Sequence, residues 1–284
     1  MFNHFREYIS RIPSELRYRI DLVKHKSKLA KLSPQDKLIV DGVRKEGVFI
    51  TSLKDLGLDK TSTLIKAAES ELSNMELTLS ASRSSQQNFG NLKNPAYPQI
   101  FTVTDLPDFQ MWGSEQRLLN IVENYIGIPI AFQGVHLRRD FANEEPVTTE
   151  QWHLDAEDRR MIKVIIYLND VSEENGPFEY IPKSQVSLPM ALRIRSKIAS
   201  KMKMGKVGIN DTEIEKIVPR KLWKSCPGVT GTVVFADPKA IFHHGKSRKQ
   251  ARSTLFFVYT AKNPLRPECC TQYSDNTFAR VVPV

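Results

Sequence analysis

The sequence lacks the long apolar runs that membrane-spanning helices require. No stretch of its 284 residues approaches the roughly 18 consecutive apolar side chains of a span, so no transmembrane helix is expected. Residues 1–7 contain neither the apolar core nor the small-residue cleavage site of a secretory signal. These absences predict a cytoplasmic protein with no integral membrane association.

Cysteine is also scarce. Cys226, Cys269 and Cys270 are odd in number and two of them are adjacent, which argues against a disulfide framework. Their spacing does not match a zinc site. We interpret them as reduced thiols with structural or incidental roles.

Nucleic-acid motifs are absent although the formal net charge is +9. There is no zinc-finger spacing and no aromatic signature of an RNA-binding module. Residues 1–50 hold eleven basic and six acidic side chains, and residues 201–250 hold eleven basic and four acidic ones. Residues 101–150, in contrast, hold three basic and eight acidic side chains. Such asymmetry indicates local electrostatic roles, so no nucleic-acid partner is expected.

The composition that remains is that of a globular protein, with 40% hydrophobic and 26% charged residues and no internal repeat. Because no linker is visible, we expect one domain over residues 1–284. Residues 1–128 are predicted to be mainly helical and to pack on a core formed by residues 129–262. Residues 263–284 form a C-terminal tail.

Helix signals dominate the first portion. Residues 13–31 are predicted to be helical, with Ile20 and Val23 among many basic residues; the apolar side either packs on the domain or lies on an anionic membrane. Ser33 can cap a second helix that has Pro34 in its first position and ends at Gly47. Further on, the pattern predicts a short strand at 48–50, a helix at 61–74, a loop at 79–98 and a helix opened by Ser114 and closed by Gly127.

From residue 129 the pattern changes to strands. Eight are predicted, at 129–140, 151–156, 161–169, 177–181, 221–227, 231–237, 240–244 and 252–260. Eight short strands are typical of a double-sheet jelly roll. The expected fold is therefore mainly β with flanking α-helices, and a basic helical insertion at 185–220 separates the fourth and fifth strands.

Metal-ligating residue types occur in two of these strands. His153 and Asp155 are two apart in an extended segment, so both side chains point to the same face. His243 or His244, at the end of a later strand, can complete a set of two imidazoles and one carboxylate, and only one of these neighbours can point at the metal. That donor set holds iron(II) and leaves positions open for chemistry.

A basic residue opens the last predicted strand. Arg252 enters an apolar segment, and burying its guanidinium requires a carboxylate partner. That partner is either a protein Asp or Glu or the carboxylate of a cosubstrate.

Several segments resemble the phytanoyl-CoA dioxygenase family over about residues 129–262. They are Trp152-His153-Leu154-Asp155, Lys163 through Val171, Glu174-Asn175-Gly176-Pro177-Phe178, Ile181-Pro182-Lys183-Ser184, and Phe242-His243-His244-Gly245 with Arg252. The resemblance implies a double-stranded β-helix (jelly roll, cupin-like) core with N-terminal helices against one sheet. It further implies an oxygenase that uses iron(II), 2-oxoglutarate and O2.

The resemblance also implies roles for single residues. Iron would be held by His153, Asp155 and His243, because the family often has one residue and then Gly after its distal His. Arg252 would pair with the far carboxylate of 2-oxoglutarate, with Arg248 and Arg266 as the next candidates. Three further residues would line the cosubstrate pocket: Thr254, Lys163 and Tyr167. The family's Pro-Gly-Ser-His is replaced by Pro182-Lys183-Ser184-Gln185.

Two other functions compete with hydroxylation of a small-molecule or carrier-bound substrate. A halogenase would need a vacancy where Asp155 stands, so halogenation is disfavoured. A non-catalytic jelly-roll module that binds a metal or ligand would not need Arg252. Residues 193–224 hold ten basic and three acidic side chains; this segment is either a solvated surface or a basic rim that attracts an anionic substrate.

Overall fold

The computed structural model describes residues 2–84, 98–143, 146 and 148–283, with the backbone alone at 2–13 and 78–84. In these residues no helix is long and apolar enough to cross a membrane. The helices are α1 Phe2–His25, α2 Pro34–Glu46, α3 Leu53–Leu56, α4 Thr61–Ser84, α5 Pro107–Gly113, α6 Gln116–Ile126, α7 Leu188–Met202 and α8 Asp211–Glu215. The strands are β1 Val48–Ser52, β2 Gln99–Thr102, β3 Ile130–Asp140, β4 Ile162–Tyr167, β5 Phe178–Tyr180, β6 Lys224–Ser225, β7 Thr232–Ala236, β8 His243–Gly245, β9 Arg252–Ala261 and β10 Ala279–Arg280.

Two sheets form the jelly-roll core that the strand pattern predicted. The larger sheet has the order β1-β7-β4-β9-β3-β2-β10, and the smaller has the order β6-β5-β8. All of these pairs are antiparallel except β10 with β2. Because neighbours in the large sheet are distant in sequence, its register depends on contacts that no local pattern encodes.

The large sheet has two chemically different faces. On the outer face Val164, Leu255 and Phe257 are fully buried in the main hydrophobic cluster, together with residues of α2 and α6. The ring of Phe257 lies 4.7 Å from that of Trp112 on α5. Truncating such a buried aromatic to alanine typically costs about 3–5 kcal/mol. The helices therefore cover the outer face and leave the inner face for a cavity.

Several helix boundaries are confirmed and others are corrected. Ser33 caps α2 by accepting a bond from the Asp36 amide at 3.1 Å, and Gly47 ends it with φ of 90°. Ser114 does not open α6: it ends the unpredicted helix α5, and Glu115 caps α6 through the Leu118 amide. The predicted loop at 79–98 is wrong at 79–84, where α4 continues, while 85–97 lie outside the described residues.

Two further predictions differ from the structure. The segment 151–156 is not a strand but makes isolated bridges at Trp152 and His153. The first helix ends at His25 and a 3-10 helix follows at Lys26–Lys28, so the predicted end at residue 31 is too late.

Candidate active site

Two histidines meet across a backbone bridge. The amide of His153 donates to the carbonyl of His243 at 3.0 Å, and the amide of His243 donates back at 3.2 Å. This reciprocal pair puts both side chains on one side of the bridge, with ring centroids 4.3 Å apart. Residues ninety positions apart are thereby held as neighbours by main-chain bonds alone.

Each of these histidines has a defined tautomer. Nδ1 of His153 donates to the carbonyl of Gln151 at 2.7 Å, and Nδ1 of His243 donates to that of Ile241 at 3.2 Å. In the neutral form of each ring the proton is therefore on Nδ1 and the lone pair on Nε2. Burial and the nearby His153 lower the pKa of His243 to about 3, so this ring is neutral at pH 7.

Asp155 supplies a carboxylate at the same point. Its amide donates to the carbonyl of Pro238 at 3.1 Å, and its Oδ1 lies 3.5 Å from Nε2 of His153 and 3.7 Å from Nε2 of His243. Its Oδ2 lies 2.5 Å from Nζ of Lys163. Burial alone would raise the pKa of Asp155, but the Lys163 ammonium lowers it well below its usual range.

The donor set fits a metal ion. One ligand atom from each of His153, Asp155 and His243 lies within 4.8 Å of the others. Two neutral imidazole nitrogens and one carboxylate oxygen are the donors of a 2-His-1-carboxylate iron(II) site. The bonds at both Nδ1 atoms are those that orient histidine ligands in metal sites.

His244 points away from this cluster. Its Nδ1 donates to the carbonyl of Glu150 at 2.8 Å, and its Nε2 lies 2.8 Å from a carboxylate oxygen of Glu179. Its ring stacks on Trp152 with centroids 4.1 Å apart. Both ring nitrogens are thus occupied by protein partners, and neither faces the three converging residues.

A cavity of about 930 Å³ extends from the three converging residues over the inner face of the large sheet. Alternate side chains of β4 and β9 form its floor, since residues two apart share a face. These are Lys163, Ile165, Tyr167, Arg252, Phe256 and Val258. The predicted residues Lys163, Tyr167 and Arg252 therefore line one cavity together with His153, Asp155 and His243.

Three guanidinium groups surround two buried carboxylates beside this cavity. Arg252 donates to Asp140 from Nη2 at 2.9 Å and from Nε at 3.2 Å, and also to the carbonyl of Gly176. Nε of Arg138 donates to Asp140 at 2.7 Å, and Nη1 of Arg248 donates to Glu150 at 2.7 Å. Burial would raise the pKa of Asp140, but the three arginines hold it well below its usual range. The three guanidiniums and the two carboxylates together have one positive charge in excess.

The predicted arginines differ in access to the cavity. Arg252 and Arg138 line the cavity. Arg248 is buried, with 3% of its surface exposed, and is not among the lining residues. Arg266 is an exposed partner of Glu268 and does not line the cavity. Arg252 thus has a protein carboxylate partner and also faces the cavity.

Thr254 and Tyr167 lie opposite each other on β9 and β4. The hydroxyl of Thr254 is fully buried and has no hydrogen-bond partner among the described residues. The hydroxyl of Tyr167 is already engaged, since it donates to the carbonyl of Cys226 at 2.7 Å and accepts from the amide of Phe178 at 3.3 Å. Of these two hydroxyls, that of Thr254 is the unpartnered one, but Thr254 is not among the residues that line the cavity, contrary to the prediction.

Sequence reasoning missed part of the cavity wall. His136 and Arg138 line it from β3, and their alternate spacing within the predicted strand 129–140 was an available signal. Tyr273 and Phe278 line it from the C-terminal segment. The ring of His136 lies 4.7 Å from that of Tyr273 and 5.0 Å from that of Phe278. No motif in the sequence marks this segment as part of a site.

The basic insertion has a mainly structural environment. Its apolar residues pack with Trp152 in a separate cluster that includes Ile194, Ile198 and Ile214. Among residues 185–220, Val207 lines the cavity. Lys201 is paired with Glu213 at 2.8 Å, so part of the positive charge is neutralised.

Solved proteins share this fold at low sequence identity. HygX from Streptomyces hygroscopicus, solved with nickel and 2-oxoglutarate bound, is 15% identical with a TM-score of 0.50, over 82% of this chain and 88% of that chain. The epimerase SnoN, solved with Fe3+, alpha ketoglutarate and nogalamycin RO, is 14% identical with a TM-score of 0.51, over 88% of this chain and 93% of that chain. At such identities the likeness concerns the fold.

A family comparison covers the site itself. No curated protein matches the sequence. The phytanoyl-CoA dioxygenase (PhyH) family profile matches residues 71–252, which is more than half of the chain and includes His153, Asp155, His243 and Arg252. The protein therefore belongs to the phytanoyl-CoA dioxygenase family of iron(II)- and 2-oxoglutarate-dependent oxygenases.

Proposed function

We propose that this protein is a 2-oxoglutarate-dependent dioxygenase that hydroxylates a small-molecule or carrier-bound substrate, with iron(II) held by His153, Asp155 and His243. The observation that carries the proposal is the convergence of the three ligand atoms within 4.8 Å, with both Nδ1 atoms bonded to carbonyls. Bound together, iron(II) and 2-oxoglutarate supply the O2 activation that oxidises a C–H bond and releases succinate and CO2.

The far carboxylate of 2-oxoglutarate fits the arginine end of the cavity. Arg252 and Arg138 face this end, and the surrounding group of three guanidiniums and two carboxylates has an excess of one positive charge. Tyr167 contributes its ring to the wall.

The remaining cavity residues orient Asp155 and keep water out of the site. Lys163 holds Oδ2 of Asp155, so that Oδ1 faces the two Nε2 atoms. Phe256, Phe278 and Tyr273 line the cavity with aromatic surface and limit the access of water. Water exclusion protects reactive species and strengthens charge interactions inside the site.

This arrangement favours an enzyme over a binding module. A metal- or ligand-binding jelly roll needs the three convergent ligands but no surplus guanidinium in the same cavity. Asp155 occupies the carboxylate position that a halogenase leaves vacant, so halogenation is disfavoured.

The substrate side supports a coarser proposal. We expect an anionic group on the substrate, because Lys203 and Lys206 are exposed next to Val207 of the cavity wall. The three free thiols suit a reducing, cytoplasmic compartment, and we treat the chain as one domain.

The test is anaerobic loading with iron(II) and 2-oxoglutarate, read by visible charge-transfer absorption, followed by a substrate screen scored by succinate release. Products made under labelled O2 then distinguish hydroxylation, which incorporates the label, from epimerisation, which does not. Asp155→Asn is the negative variant and Asp170→Asn, an exposed carboxylate bonded to Thr230, is its control. The proposal would be overturned if the protein bound neither iron(II) nor 2-oxoglutarate. It would also be overturned if Asp155→Asn released succinate as well as the original chain does.

A further inference from the structure

Helix α1 is attached to the rest of the protein through one face. Glu15 accepts a bond from Arg159 at 2.6 Å, and the guanidinium of Arg159 lies 5.0 Å from the ring of Tyr18. Leu22 packs closely on Gly127: a Cβ added to Gly127 would lie 2.7 Å from Cδ2 of Leu22. His25 bonds to Glu123 at 2.9 Å. Residues 15, 18, 22 and 25 follow helical spacing, so they form a single contact face.

The opposite face carries apolar side chains that nothing in the described residues covers. Leu16, Ile20 and Val23 are 59%, 43% and 76% exposed. They are spaced at i, i+4 and i+7 and so form one stripe, about half a turn from the contact face. In the sequence the same spacing continues backwards at positions 5, 9 and 12, which are Phe, Ile and Ile. The expectation that the apolar side of this helix packs on the domain is therefore wrong for Ile20 and Val23.

Basic side chains flank the stripe. Arg17 and Lys24 lie on one side of it by helical angle and Arg19 on the other, and all three are exposed. Lys26, Lys28 and Lys31 follow the helix and are also exposed. Of the two acidic residues in 14–28, Glu15 is already bonded to Arg159 on the contact face.

We infer that residues 14–28 form a docking surface for an anionic lipid bilayer. The stripe provides the apolar row that enters the headgroup boundary, and the basic residues on both sides can reach anionic headgroups while their stems lie along the interface. The negative charge of anionic lipid complements the basic residues on both sides of the stripe. A second copy of the same surface would bring like charges together and be repelled. This inference is independent of the proposed oxygenase activity.

The docking surface is coupled to the cavity through one short segment. Arg159 contacts α1, and Glu157, two residues before it, lines the cavity. Residues 157–159 therefore link the contact face of α1 to the cavity wall.

The experiment is flotation of the full chain with phosphatidylcholine vesicles, with and without about one third phosphatidylglycerol. We expect the protein to float with anionic vesicles only. Leu16→Gln, Ile20→Gln and Val23→Gln together should reduce binding at least tenfold, on the order of the loss expected from three exposed apolar anchors. Arg17→Gln with Lys24→Gln should weaken binding about fivefold for each charge at low salt and flatten its salt dependence.

The matched control is Leu77→Gln with Val229→Gln, two apolar side chains that are 69% and 68% exposed on other surfaces. The control should bind vesicles like the original chain, and circular dichroism should show all variants folded. Equal binding by the stripe variant and the control would overturn the inference, as would the absence of binding to anionic vesicles. A dimer in vesicle-free solution that the stripe variant dissociates would assign the surface to a second copy and also overturn it.

Discussion

At the scale of single residues, adjacent histidines have opposite tasks. Nε2 of His243 points to the place where Asp155 and His153 converge, while both ring nitrogens of His244 are engaged by Glu150 and Glu179. A one-residue change of register at this strand would exchange the two, because neighbours on a strand face opposite ways.

The first prediction separates the two histidines. His243→Ala should abolish iron(II) binding, because it removes one of three ligands. His244→Ala should retain iron(II) binding but lose roughly 1–3 kcal/mol of unfolding free energy, because it leaves the Glu179 carboxylate without its buried hydrogen-bond partner. Titration calorimetry and urea unfolding measure the two effects. Full iron affinity in His243→Ala together with its loss in His244→Ala would reverse the assignment.

The second prediction concerns Lys163. Lys163→Met removes the ammonium that pairs with Oδ2 of Asp155 and should lower metal affinity about 10- to 100-fold, as losses of groups that orient metal ligands do. Ile165→Met, on the same face of β4, is the control and should retain affinity. Competition with a metal indicator measures both. Equal affinity in the two variants would mean that Lys163 does not orient Asp155.

The third prediction tests the arginine end of the cavity. Arg252→Ala should weaken 2-oxoglutarate binding by roughly 2–5 kcal/mol without removing iron, because it breaks a buried charged pair. Arg248→Lys, which retains the charge behind the cavity wall, should change this affinity little. Binding is measured by anaerobic absorption titration. Unchanged affinity in Arg252→Ala, with loss in Arg138→Ala, would transfer the role to Arg138.

At the scale of elements, the C-terminal segment completes the cavity wall. Strand β10 pairs with β2, and Thr104 donates to the carbonyl of Tyr273 at 2.9 Å. Gly134, with φ of 144°, lets Tyr273 approach the backbone, since a Cβ there would lie 2.8 Å from the Tyr273 carbonyl. Nε2 of His136 donates to the carbonyl of Gln272 at 3.1 Å. The segment is therefore held by contacts with β2, Thr104 and β3.

The fourth prediction follows from the burial of His136. Burial lowers the pKa of His136 from its ordinary 6.5 to about 4. Below pH 6.5 the unfolded chain takes up a proton at His136 that the folded chain excludes. The stability that depends on a neutral His136 is therefore fully present above pH 6.5 and is lost as the pH falls toward 4. The loss amounts to roughly 3 kcal/mol. His136→Gln should therefore be less stable than the original chain at pH 7, by a margin that shrinks at pH 4.5.

Urea unfolding at the two pH values measures this margin, and the other histidines are common to both proteins. A difference in unfolding free energy that does not change with pH would show that His136 does not carry the effect.

At the scale of the whole molecule, charge is concentrated in separate regions. Residues 201–250 hold eleven basic and four acidic side chains, and Val207 connects this region to the cavity wall. Attraction from exposed lysines is screened over about 8 Å at physiological ionic strength.

The fifth prediction is that turnover of the best substrate falls as salt rises. Lys203→Gln with Lys206→Gln should flatten this dependence, because both side chains are exposed near Val207. Lys54→Gln with Lys66→Gln, exposed on α3 and α4, is the control of equal charge. Steady-state rates over a salt series measure the slope. A neutral best substrate with turnover indifferent to salt would make the segment an ordinary surface.

Local patterns in the sequence determined much of this protein. Helix caps such as Ser33 act over three residues, and alternation within a strand puts Lys163 and Tyr167 on one face, so both are readable without a structure. His153 and Asp155 are only two residues apart, so their proximity is local as well, although the segment that holds them is not a strand.

Tertiary structure decided what depends on distant partners. The register between His153 and His243 selected one histidine of a pair, and the pairing of β3 with β9 brought Asp140 opposite Arg252. The docking of the C-terminal segment put Tyr273 in the cavity wall. Side-chain alternation reports which face a residue occupies but not which strand lies beside it, because strand order arises from packing among residues far apart in the chain.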